Sequence, residues 1–144
     1  MHFQSLPGQT VWSPEISWGT ATSDDLVHWR QTDASLVPGP FEVGCWSGCV
    51  VTNDQGQECA FYTRVRTNAL DRAQIAVARR AEHRLAWMSS EVDVVVDGPP
   101  DECVIAFRDP FVWRYGQGWL MIAGAGLAHG EGAVLAYRST NLLA

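Results

Sequence analysis

The sequence predicts an all-β protein, and three features carry that expectation. Short runs of β-branched and aromatic residues are separated by Gly, Pro, Asn or Asp. Two of the gaps, Asn53-Asp54-Gln55-Gly56 and Tyr115-Gly116-Gln117-Gly118, are hairpin connections with Gly available for positive φ. The third feature is an internal repeat with a period of about 58 residues.

Taken in order, the first repeat unit is Ala21-Thr22-Ser23-Asp24-Asp25-Leu26-Val27-His28-Trp29: a small-residue strand, a polar turn, Leu, then Trp. Strands are expected at Val43 to Val51 and Glu58 to Thr63, on either side of the first hairpin turn. Asn68 to Arg84 is the one stretch that could be helical. Its centre, Ile75-Ala76-Val77-Ala78, reads better as a buried strand over Gln74 to Ala78. The repeat starts again at Ala76 and runs through Leu85-Ala86-Trp87. Val92 to Val96 is a strand stopped by Asp97-Gly98-Pro99-Pro100. Phe111 to Tyr115 and Trp119 to Ala123 flank the second hairpin, and Ala133 to Tyr137 follows. A third unit begins at Ala136 and places Leu at 142, after Leu26 and Leu85.

A second element recurs in phase. Ser47-Gly48-Cys49-Val50-Val51 leads to a Gly turn and an aromatic strand, and so does Arg108-Asp109-Pro110-Phe111-Val112. Each repeat therefore holds about four strands, the content of a propeller blade. A sandwich whose strands happen to recur is the alternative architecture. At this period 144 residues supply about two and a half blades, whereas closure needs at least about four. An open stack would leave a sheet edge and an apolar face uncovered. The expectation is a piece of a longer protein, with the remainder of the propeller, or self-association, covering that face.

Composition narrows the function classes. All ten basic residues are Arg, the net charge is -6, and no basic run exists, which argues against a nucleic-acid binder. No stretch approaches the roughly 18 apolar residues of a membrane-spanning helix. Cys45 and Cys49 lie four apart on one expected strand, too far to bridge each other, and Cys59 and Cys103 have no ligand-spaced neighbours. All four are expected as buried free thiols. Free cysteines and an N-terminus without a secretory pattern favour a cytoplasmic location, with secretion left open by whatever precedes Met1. No metal-ligand cluster, Walker loop, dinucleotide loop or Ser-His-Asp elbow is present, so no cofactor is expected.

Carboxylates beside aromatics are the usual equipment for sugars, since indole faces cover the apolar side of a sugar ring. The sharpest cluster is Phe107-Arg108-Asp109-Pro110. Pro110 is expected to hold Asp109 in extended geometry at the start of a strand, and Arg108 to favour its ionised form. Taken alone, an Arg-Asp-Pro tripeptide is more often a surface turn. Trp46 and Ser47 occupy the equivalent position of the preceding repeat, where a shared site would be lined; the competing reading is a core Trp beside a Gly-assisted bulge. Trp12 and Trp18 are either a loop platform or a core pair. Asp24-Asp25 is expected to be turn chemistry.

Four stretches together carry a family pattern. Phe3-Gln4-Ser5-Leu6-Pro7 with Trp12, Trp18 through Trp29, Trp46-Ser47-Gly48-Cys49 and Phe107-Arg108-Asp109-Pro110 resemble, in order, four segments of glycoside hydrolase family 32, the β-fructosidases. Thr20 departs from that family's His, and Trp46 from its Phe.

The resemblance implies a five-bladed propeller that retains anomeric configuration while hydrolysing terminal β-fructofuranosyl bonds of sucrose or fructans. It further implies that 1–144 is an incomplete catalytic domain, with the nucleophile box upstream and the acid/base box downstream of the third repeat, so that this chain alone is inactive. Asp109 would be the transition-state stabiliser, supported by Arg108, with Gln4, Trp12, Trp46 and Ser47 lining the substrate pocket. Glu15, Glu102 and Glu131 are not promoted to the missing roles. An arabinan- or xylan-type five-bladed glycosidase and a non-catalytic sugar-binding or scaffold propeller are the alternatives.

Overall fold

The computed structural model describes residues 1–67, 69–80, 87 and 93–142, and among these every regular element is a strand. The ten strands are β1 (His2–Ser5), β2 (Ser17–Thr22), β3 (Arg30–Leu36), β4 (Glu42–Thr52), β5 (Glu58–Arg66), β6 (Ala69–Arg80), β7 (Val94–Val96), β8 (Val104–Tyr115), β9 (Gly118–Leu127) and β10 (Gly132–Ser139). They form three antiparallel meanders in chain order: β1-β2-β3, β4-β5-β6-β7 and β8-β9-β10. Each meander is one propeller blade. The middle blade has the four strands expected per repeat, and its neighbours have three each among the described residues. Both hairpins fall where expected, with Gly56 at φ 77° and Gly116 at φ 60°.

The middle blade is buried on both faces, which explains the unbroken apolar runs in β5 and β6. Side chains alternate across a strand. Cys59, Phe61, Ile75 and Val77 therefore meet Phe107, Val112, Trp119 and Met121 of the third blade. Ala60, Tyr62, Ala76 and Ala78 turn the other way, with Trp18 and Leu36 of the first blade and Trp87. The three small alanines on that face leave the depth that two indoles require. Ile75 to Ala78 pair with Thr63 to Ala60 along β5, and Ile75 and Ala78 are fully buried, so this centre is a buried strand and not the helix also considered; residue 68 and residues 81–84 of that stretch lie outside the described residues.

Three expectations are corrected. β8 begins at Val104 and not at Phe111, because the chain stays paired with β9 on both sides of Asp109-Pro110. Cys103 is exposed, although Cys45 and Cys59 are buried and all four thiols are free. The repeated Leu has no uniform environment: Leu142 is 9% exposed against the third blade, whereas Leu26 is 78% exposed. Leu85 and Val92 lie outside the described residues. The face of the third blade turned away from the middle one exposes Phe111 and Val134, as an open stack requires.

Candidate active site

Two β-bulges, one on the first strand of each adjacent blade, build the site. On β4, Trp46 pairs with Thr63 and Gly48 with Tyr62, so Ser47 is an extra residue. On β8, Arg108 pairs with Gly124 and Phe111 with Ile122, leaving Asp109 and Pro110 opposite a single residue. A bulge bends its strand and re-aims the side chain at the extra position. Gly48 permits the first bulge, since a Cβ there would overlap the Phe61 carbonyl oxygen. Pro110 suits the second because it has no N–H to lose from the ladder, and its ring is buried.

The bulges open onto a cleft of about 370 Å³ whose walls include all six residues selected from the sequence: Gln4, Trp12, Trp46, Ser47, Arg108 and Asp109. Ile16 is a seventh, an apolar wall that carried no signal beyond being one more core-type residue. The Gln4 amide donates to Ser47 Oγ at 2.6 Å, which joins the first blade to the second. Trp12 stands 69% exposed on a loop and meets Trp46 edge-on, with ring centroids 5.9 Å apart. That loop is fastened to β4: Trp46 Nε1 donates to the Pro14 carbonyl at 2.9 Å and the Cys45 N–H to the Ile16 carbonyl at 2.8 Å. Trp12 and Trp18 therefore separate into the two roles left open above. Trp18 is a core residue, 5% exposed, whose Nε1 donates to the Trp46 carbonyl.

Asp109 does not have the extended backbone expected before Pro110. Its φ is 60°, in the left-handed region that Asp tolerates better than most residues. Its N–H donates to Thr63 Oγ1 at 2.8 Å, and Thr63 donates in turn to the Ser47 carbonyl at 3.0 Å. These contacts from the neighbouring blade outweigh the local preference set by Pro110. Asp109 Oδ2 lies 3.8 Å from Arg108 Nε, with both side chains half exposed, so water and substrate can reach the carboxylate.

Glu15, Glu102 and Glu131 do not line this cleft. Asp25 closes a turn, as expected. Its carboxylate accepts from the N–H groups of Val27 and His28 and from Ser23 Oγ, and pairs with the His28 ring at 2.6 Å. The His28 ring first, and then those N–H groups, hold it well below the usual carboxylate range.

Meander blades whose bulged first strands deliver a carboxylate, a guanidinium and the Trp46 indole to one cleft, with Trp12 added from a loop, define a β-propeller with its candidate site where two blades meet. The sequence matches the glycosyl hydrolases family 32 N-terminal domain over residues 1–144, and the chain belongs to that family. It is 35% identical to a sucrose-6-phosphate hydrolase of Escherichia coli, covering 97% of this chain and 30% of that protein. It is 34% identical to a raffinose invertase of the same species, again over 97% of this chain and 30% of the relative. Among solved structures, fructan 1-exohydrolase IIa of Cichorium intybus, in complex with 1-kestose, superposes with a TM-score of 0.84 at 25% identity, over 99% of this chain and 28% of that one. The chain thus spans about 30% of the length of the curated relatives it matches.

Proposed function

We propose that the protein carrying this chain is a retaining glycoside hydrolase that cleaves terminal β-fructofuranosyl bonds. The observation that carries the reading is the convergence of Asp109, Arg108, Gln4, Ser47, Trp12 and Trp46 on one cleft. The relatives' names add a common denominator: sucrose 6-phosphate, raffinose and 1-kestose all end in a β-linked fructofuranose.

Retaining hydrolysis requires a nucleophilic carboxylate and an acid/base carboxyl about 5–5.5 Å apart, and passes through a transition state resembling an oxocarbenium ion. In this reading both residues come from outside residues 1–144. Asp109 instead accepts hydrogen bonds from fructose hydroxyls, and these contacts tighten as positive charge develops on the ring. Arg108 neighbours Asp109 and orients it. Gln4 and Ser47, already bonded to each other, bind further hydroxyls, and the edge-on indoles of Trp12 and Trp46 cover the apolar ring face.

The test is hydrolysis of sucrose, sucrose 6-phosphate and 1-kestose by the full-length protein and by its Asp109→Asn variant. Asp109→Asn is expected to lower kcat about 100-fold or more while KM changes little, because the lost contacts belong to the transition state. Release of fructose from none of the three, or an unchanged kcat in Asp109→Asn, refutes the assignment.

A further inference from the structure

We infer that Thr63 is a positioning residue that holds Asp109 in its working conformation. The inference rests on the role given to Asp109 above.

Thr63 lies on β5, the second strand of the middle blade, and does not line the cleft. It is fully buried, and its single hydroxyl makes two bonds to main chain on two different strands. It accepts from the Asp109 N–H at 2.8 Å and donates to the Ser47 carbonyl at 3.0 Å. Both partners are extra residues of β-bulges, on blades that meet at the site. One oxygen thus links the two irregularities that shape the cleft.

A hydroxyl offers one donor and can accept, so this arrangement uses its donor and one acceptor site and leaves nothing buried unpaired. The Asp109 N–H has left the ladder at the bulge, and its pairing depends on this contact. A non-glycine residue at φ 60° is strained and persists only where its surroundings hold it. Remove the hydroxyl, and the residue before Pro110 is free to return to the extended region that proline favours. The carboxylate would then turn away from the cleft, although no group touching substrate had been altered. Cys49 supports the same frame less strongly, its sulfur accepting the Val112 N–H at 3.1 Å.

Thr63→Val keeps the volume and removes the hydroxyl, whereas Thr63→Ser keeps the hydroxyl and removes a methyl. In the full-length protein, Thr63→Val is expected to lower kcat about 10- to 100-fold with KM within about twofold, the usual effect of misplacing a group by about 1 Å. Thr63→Ser should stay within about threefold of wild type. Crystal structures are expected to show Asp109 at negative φ in Thr63→Val and at positive φ in Thr63→Ser. Equal losses in the two variants would mean packing alone and overturn the inference, as would an unchanged kcat in Thr63→Val. If the wild-type protein cleaves no β-fructoside, the proposed function falls on that result alone. The backbone at Asp109 then decides the positioning question, and positive φ retained in Thr63→Val overturns it. Should Thr63→Val not fold, Thr63→Cys, whose sulfur accepts only weakly, carries the same measurements.

Discussion

Glu42→Gln removes a buried charge at nearly constant volume, and its cost follows from the surroundings. The side chains of Glu42 and Arg64 are 3% and 11% exposed, with Oε1 and Nε 2.7 Å apart. Arg64 Nε lies off the direction of a proper hydrogen bond, so charge holds the pair. The carboxylate also accepts from Tyr62 Oη at 3.1 Å and from the Gly39 N–H at 2.8 Å. Burial first, and then the neighbouring Cys45 and Glu42, push the Tyr62 hydroxyl far up, so it stays a donor. With glutamine the guanidinium keeps its place without a counter-charge, and breaking a buried pair in this way costs about 3–5 kcal/mol. One of the two hydrogen bonds from these neutral donors can be remade to the amide oxygen, which spares about 1 kcal/mol. The expected net loss is therefore about 2–4 kcal/mol, measured by urea unfolding followed through tryptophan fluorescence. Adding Arg64→Met should recover most of it, because the buried guanidinium left without its counter-charge is then gone. A loss below about 1 kcal/mol for Glu42→Gln, or losses that simply add in the double variant, would refute the reasoning.

Three further outcomes are expected. Gly48→Ala drives a methyl group into the Phe61 carbonyl and should cost about 1–3 kcal/mol and lower kcat with it, because the β4 bulge cannot keep its shape; wild-type unfolding and turnover would count against the bulge. Trp12→Ala removes an exposed indole and should change stability by less than about 0.5 kcal/mol. It should raise KM for 1-kestose several-fold, and a large fall in melting temperature would instead mark Trp12 as a structural residue. Burial beside Trp18 and Trp87 lowers the His2 imidazole from its ordinary 6.5. A lowered folded value means the unfolded chain binds the proton more readily, so this contribution to stability is present above pH 6.5 and declines as pH falls below it. His2→Gln should flatten that slope in melting curves taken between pH 7 and 5.

Much of the fold was legible because strand, turn and repeat signals are local. The two hairpins, the seven strands from Val43 onward and the burial of Ile75 to Ala78 follow from residue type and spacing. β1 and β3 were missed: His2–Ser5 is a four-residue strand, and Arg30–Leu36 is a polar strand without an apolar stripe. Of the cleft residues, Arg108, Asp109, Trp46 and Ser47 stand out in the residue pattern and the repeat, whereas Gln4 and the place of Trp12 at the cleft were legible only through the family pattern. Arg-Asp-Pro alone reads as a turn, and nothing in a single strand links Gln4 to Ser47.

Residue type and spacing were enough for an all-β chain of repeated four-strand units, and the family pattern added the propeller and the six residues that meet at one cleft. Which way those residues face depends on how the blades pack. Cys45 and Cys49 lie four apart and should share a strand face, yet Cys45 packs with the first blade and Cys49 with the third. The bulge at Ser47 reverses the alternation between them. Asp109 likewise takes φ 60° because Thr63, 46 residues earlier and on another blade, receives its N–H. Local rules reach a few residues along one strand, whereas a bulge is held by contacts whose partners are distant in the chain and adjacent only after the blades have packed.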